Sequence, residues 1–229
     1  MLSIFKTLGF SGTVASALIL ASLAGSSPRS QAQALPSWEV GKNYHVLPNV
    51  AVQAPDHAVV VTEVFGYFCP HCFHLLEPLQ NWEKQGKPAF ISLNLVPVIW
   101  PGSEPTEQLA RLYYTIVALH RESDLHALVF KEIHVEHRLL MNKDSAIAEQ
   151  LQADFMEKHG VSKAEFLKTS HSAQVNAQLA HAAELATRYQ VVSVPTLVIA
   201  DKYTADAGSA GGEQQLFQLI DDLAARERH

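Results

Sequence analysis

Cysteine is nearly absent from this chain: 229 residues hold two, and they stand three apart as Cys69-Pro70-His71-Cys72. A disulfide framework of the kind that staples small secreted domains is therefore excluded. Basic residues are also in short supply, with 17 Lys and Arg against 23 Asp and Glu and a net charge of −6. That balance argues against nucleic acid as a partner. Long apolar runs are missing after the first two dozen residues, so nothing later in the chain has the roughly 20 apolar residues of a membrane span. Internal repeats and low-complexity stretches are lacking as well. What is present is a 48% hydrophobic composition, enough for one or two domains with a substantial core. Twelve histidines make the charge sensitive to mildly acid pH.

The N-terminus reads as a secretory leader. Lys6 precedes the apolar stretch Val14–Ala24, and small residues follow. Ala32-Gln33-Ala34 gives an A-x-A cleavage pattern before Leu35, with Ser22-Leu23-Ala24 as a second position. The expected leader is residues 1–34, with retention as an uncleaved anchor as the other reading. Its removal takes away Lys6 and Arg29 and no acid, leaving the mature chain more acidic still. Export places both cysteines in an oxidising compartment. Their concentration in one C-x-x-C then points to thiol-disulfide exchange rather than cross-linking.

Hydrophobic periodicity sets out the elements. A short edge strand is expected near Tyr44–Leu47 in a lead-in over 35–57. The β-branched run 58–65, bounded by Asp56 and Gly66, predicts a buried strand. Residues 70–84 read as a helix with Pro70 in its first turn, where a missing N–H costs nothing. Residues 89–96 predict a second core strand, ended by Pro97. From 104 to 189 the pattern is helical throughout. Ser162-Lys163-Ala164-Glu165 forms a capping-box pattern. Thr196–Ala200 is a third strand, with Lys202-Tyr203-Thr204 able to pair with it across a turn, and Gly211-Gly212 precede a last helix. This order predicts an α/β fold with a helical insertion.

The C-x-x-C closes the first core strand and opens the helix. A cysteine at a helix N-terminus meets unpaired N–H groups and the positive end of the macrodipole, both of which favour a thiolate. Cys69 is expected there as the sulfur open to attack, with Cys72 one turn on and packed further in. His71, lying between them, is expected to favour the Cys69 thiolate further. Favouring that thiolate favours the dithiol form, so the disulfide form tends to hand its oxidation to others. An apolar residue in place of His71 is expected to weaken the protein as an oxidant. Glu63 shares a strand face with Val59, Val61 and Phe65. An acid there is either a proton acceptor for Cys72 or a carboxylate paired with a base or an internal water; the sequence weighs both. Two metal readings carry less: Cys69, Cys72 and His74 lack a fourth ligand for a closed site, and His134 with His137 reads as a solvated helix face.

Phe68-Cys69-Pro70-His71-Cys72, with Glu63 six positions ahead and Val194-Pro195-Thr196 near the end, resembles the active site of the DsbA-type thiol:disulfide oxidoreductases of bacterial periplasms. The resemblance covers the whole mature chain. It implies a thioredoxin-like fold formed by 35–98 and 183–229, interrupted by an inserted helical domain at 99–182. By the same likeness Cys69 is the attacked sulfur, Cys72 its buried partner and Pro195 a cis-proline facing the disulfide. Val194 would offer its backbone to an extended substrate peptide, and Glu63 matches the family's buried acid. The lysine often found beside that acid has no counterpart in Ile91–Val98. The resemblance implies a dithiol oxidase of reduced, unfolded exported proteins in the periplasm, reoxidised by a DsbB-type membrane quinone reductase. It needs no cofactor or metal and acts as a monomer. A disulfide isomerase or reductase, or a peptide-binding holdase, is the competing class. The isomerases resemble dimers with a separate N-terminal domain, for which residues 35–57 are too short.

Overall fold

The structure is a computed structural model that describes residues 37–48 and 58–228. The expected leader at 1–34 and the Asp56 strand boundary lie outside the described residues. Among the described residues, five strands form one sheet in the order β1-β5-β4-β2-β3. They are β1 (His45–Val46), β2 (Val59–Phe65), β3 (Ile91–Pro97), β4 (Thr196–Ile199) and β5 (Tyr203–Ala205). β2 and β3 run parallel, with Glu63 level with Leu95, and the other neighbours are antiparallel.

β2 lies between β3 and β4 and is buried along almost its whole length. This explains why its sequence is a continuous β-branched run rather than an alternating one. The β4–β5 turn is tight: Ala200 and Asp201 both have positive φ (53° and 55°), the backbone that a primed hairpin turn requires. Arg188 Nη2 donates to Asp201 Oδ2 at 2.8 Å and the Tyr189 hydroxyl bonds the other oxygen, so this turn is tied to the C-terminal end of the helix that precedes β4.

The parallel pair is joined by α1 (Pro70–Asn81), which starts at Pro70 as expected. It ends earlier than the predicted residue 84 because Pro78 lies inside it and a π-turn follows at Trp82–Gly86. Proline removes one helical donor and crowds the preceding turn, and such places favour a change of helical pitch. Between β3 and β4 come α2 (Glu104–Ala118), α3 (Glu122–His134), α4 (Ser145–Lys158), α5 (Lys163–Ser170) and α6 (Ala173–Arg188). Residues 135–144 separate α3 from α4 without helix, where the sequence had read as helical throughout. Asp144, Ser162 and Ser172 cap α4, α5 and α6 by accepting N–H groups of the first turn. The short α7 (Ala207–Ala210) leads to the last helix, α8 (Glu213–Arg226).

Two apolar clusters hold these parts. One joins Val64, Phe65 and Tyr67 to α2, α3 and α6 of the insertion. The other packs Val59 and Val61 with Leu75 and Leu79 of α1 and with Leu216, Leu219 and Leu223 of α8. Cys69 and Cys72 belong to the first, so the thiol pair lies where the sheet and the insertion meet.

Candidate active site

The site begins where β2 ends. Gly66 follows the strand, Tyr67 and Phe68 form a turn, and Cys69 becomes the N-cap of α1 with extended backbone (φ −89°, ψ 119°). The Cys69 N–H donates to Gly66 O at 2.9 Å, closing the turn. A Cβ on Gly66 would lie 2.5 Å from the Phe68 ring, so this turn has room only for glycine while Phe68 keeps its place.

The two cysteines are free thiols in unequal surroundings. Cys69 is 7% exposed and Cys72 1%. The Cys69 thiol donates to the Val194 carbonyl at 3.2 Å. Cys72 Sγ accepts the Gly66 N–H at 3.4 Å. Burial pushes the Cys72 thiol far above its ordinary range; the Gly66 N–H opposes this, and the negative charge of Glu63 adds to it. His71 is exposed on the first turn of α1.

Val194 and Pro195 come back to the site from the far end of the chain, and the peptide bond between them is cis. Val194 is half-buried, with its carbonyl turned to Cys69. The short loop 191–195 thus brings a backbone carbonyl from a distant part of the chain to the Cys69 sulfur.

Glu63 is 4% exposed on β2 between β3 and β4. Burial alone raises its carboxyl from 4.5 to about 8, and no cation among the described residues offsets it. This agrees with the missing lysine on the neighbouring strand. The acid lies on the wall of a 520 Å³ cavity between β3, α1 and the insertion, whose lining includes Asn94, Tyr113, Glu122, His126 and Gln178. The Oε1 atom of Gln178 is buried without a hydrogen-bond partner. A polar cavity of this size is large enough for ordered water.

Tyr67, His126 and His134 were not singled out together by the sequence. The Tyr67 hydroxyl bonds His126 Nδ1 at 2.8 Å, and the Tyr67 backbone carbonyl bonds His134 Nε2 at 2.8 Å. Burial keeps the Tyr67 phenol protonated and lowers His126 to about 4, so the first bond joins two neutral groups. His134 is half-buried and stacks on Phe73 with ring centroids 5.2 Å apart. The reading of His134 as part of a solvated face is therefore corrected. His126, Phe130 and His134 recur at helical spacing on α3 and grip Tyr67 from one side. That spacing was the available signal, but it does not say that the stripe meets the thiol turn. Among the described residues no group of three or more His, Cys, Asp or Glu is arranged to hold a metal ion.

Comparison with known proteins agrees with this geometry. The family model for the DSBA-like thioredoxin domain matches residues 60–224. The thiol:disulfide interchange protein DsbA of Pseudomonas syringae pathovar tomato is 34% identical over 215 residues, covering 94% of each chain. The protein of the same name from Pseudomonas aeruginosa is 33% identical over 211 residues, covering 92% of this chain and 96% of that one. The crystal structure of Pseudomonas aeruginosa DsbA superposes with a TM-score of 0.73 at 32% identity over 83% of this chain and 94% of that one. That of the oxidoreductase DsbA from Xylella fastidiosa gives 0.72 at 26% identity over 84% and 98%.

Proposed function

This chain belongs to the DsbA-like thioredoxin family, and from that premise we propose how its thiol pair works and in which direction it moves electrons. The protein is a thiol:disulfide oxidoreductase. It donates its Cys69–Cys72 disulfide to reduced, unfolded exported proteins. The asymmetry of the two sulfurs carries this reading: Cys69 caps the helix beside Val194, and Cys72 is sealed behind it.

A substrate thiolate attacks Cys69 of the disulfide form. The Cys69–Cys72 bond breaks, a substrate–Cys69 bond forms, and Cys72 takes the departing electron pair. A thiolate at Cys72 is strongly disfavoured by burial, so it takes a proton. Glu63, which holds its proton at neutral pH, supplies it and recovers another through the adjoining polar cavity. A second substrate thiolate then attacks the substrate sulfur of the mixed disulfide and Cys69 leaves as a thiolate. Two substrate thiols have become a disulfide, and the enzyme's disulfide has become a dithiol. Pro70 starts the helix, His71 favours the leaving Cys69, and Val194 with Pro195 aligns the extended peptide.

The cycle closes in the periplasm, after cleavage of the 1–34 leader, through a DsbB-type membrane partner that passes the electrons to quinone. The working unit is a monomer in which 35–98 and 183–229 carry the thiol site and 99–182 is the inserted helical domain. No described helix is long and apolar enough to cross a membrane.

The test is stoichiometric transfer. The disulfide form, mixed one to one with a reduced unfolded protein and no other oxidant, is expected to lose its disulfide as the substrate loses two thiols. A mixture that keeps both thiol counts would refute the donor role.

A further inference from the structure

The 520 Å³ cavity beside β3 has the size of a small-molecule site. Two buried polar groups on its wall lack a partner among the described residues. The Glu63 carboxyl, 4% exposed, makes no hydrogen bond there. Gln178, which lines the cavity from α6, has its Oε1 atom buried and equally alone. The Tyr113 hydroxyl does not serve them, because it donates to Glu122 Oε1 at 2.7 Å.

Charge around the cavity is lopsided. Glu63 on β2, Glu122 on α3 and Glu83 on the π-turn are acids, and Lys84 alone is cationic among the described lining residues. Glu83 and Lys84 are exposed at the rim, and Glu122 is half-buried. His126 bonds Tyr67 and is neutral, and burial keeps the phenols of Tyr113 and Tyr114 protonated. The rest of the wall is apolar, with Leu76 and Leu79 of α1, Leu93 and Leu95 of β3 and Val117 of α2. Water satisfies the acceptors but gains nothing from these side chains. An alkylammonium ion suits both, with three N–H donors, a charge that matches a carboxylate and an apolar stem.

We propose that this cavity binds a small primary alkylammonium ion, with Glu63 as its carboxylate partner and Gln178 Oε1 as a second acceptor. The stem lies on the leucines of α1 and β3. A buried ion needs a counter-charge, so Glu63 gives up its proton to the solvent as the ion enters. Binding is therefore coupled to proton release, and it tightens as pH rises toward 8. The site itself is independent of the donor reading. Its effect on exchange rests on the proton that Glu63 supplies to Cys72: an occupied cavity removes that proton and slows exchange.

Titration calorimetry with butylammonium chloride tests the site, at constant ionic strength in two buffers of different ionisation heat. A dissociation constant of about 1 mM is expected for an ion of this size, with close to one proton released per ion at pH 7. Glu63→Gln is expected to abolish the release and to weaken binding about tenfold or more. Gln178→Leu is expected to keep the release and weaken binding about fivefold, the scale of one hydrogen bond. Tetramethylammonium, which carries the charge without an N–H, is expected not to bind. Absence of butylammonium binding, or equal binding of tetramethylammonium, would overturn the site. Binding that neither substitution weakens would overturn it too. The rate at which glutathione opens the disulfide is followed alongside. Butylammonium is expected to slow it in wild type and not in Glu63→Gln. Proton release with an unchanged rate would leave the site standing and remove Glu63 from proton supply.

Discussion

Cys69→Ala is expected to lose all capacity to oxidise a reduced protein, because the chain's other cysteine, Cys72, then has no partner with which to form the disulfide that a substrate thiolate attacks. Cys72→Ala has a different outcome. Its single thiol exchanges with a substrate disulfide and stays covalently joined to it, since no neighbouring thiol displaces the substrate. Non-reducing electrophoresis and mass spectrometry are expected to show a mixed disulfide in Cys72→Ala and none in Cys69→Ala. The contrast follows from placement: Cys69 is the N-cap at the surface of the site, whereas Cys72 is 1% exposed and covered by the Gly66 turn. The reverse pattern would exchange the roles of the two sulfurs.

Glu63→Gln is expected to stabilise the protein, by about 3 kcal/mol at pH 7. The folded carboxyl keeps its proton up to about pH 8, whereas the unfolded one loses it near 4.5. Between these values the folded state binds more protons, so the stability tied to this group is lost as pH rises from 4.5 through 8. Glutamine is shaped like the protonated acid and carries no such loss. The gain corresponds to a rise in Tm of roughly 6–12 °C for a chain of this size, and it is expected to fade toward pH 5. His126 acts with the opposite sign. Neutral in the fold with a value lowered to about 4 from 6.5, it costs stability only as pH falls below 6.5. The difference between wild type and Glu63→Gln therefore isolates Glu63. The same variant is expected to slow protonation of Cys72, giving a slower exchange whose pH dependence between 5 and 8 is flattened. Denaturant midpoints and exchange rates that match wild type at pH 5 and pH 8 would remove Glu63 from both roles. The gain in stability and the loss in rate come from one feature, an unpaired acid kept in the core.

The thiol site was legible in the sequence because its chemistry is local. Cys69, Pro70, His71 and Cys72 are consecutive, and the strand before them and the helix after them follow from the β-branched run and from Pro70. Glu63 was legible as an anomaly, a charge in an apolar run, although the sequence held both of its readings open. The element boundaries moved where turn chemistry intervened. Pro78 and the π-turn shorten α1, and residues 135–144 interrupt a stretch whose composition is uniformly helical. What the sequence did not disclose are the meetings of distant segments. Val194 O reaches Cys69 across 125 positions, and α3 takes hold of Tyr67 through His126 and His134. Periodicity identifies the buried stripe of a helix, but not the partner it is buried against. Glu63, Glu122 and Gln178 line one cavity for the same reason, brought together by packing and invisible to spacing.

The direction of electron flow is tested most directly by the equilibrium of the Cys69–Cys72 pair with reduced and oxidised glutathione at pH 7, read by thiol alkylation and mass spectrometry. A disulfide donor is expected to be half reduced at a potential more positive than about −180 mV, where glutathione readily empties it. A midpoint at or below about −230 mV, in the range of the reductases, would contradict the donor role and make this protein a source of electrons rather than of disulfides.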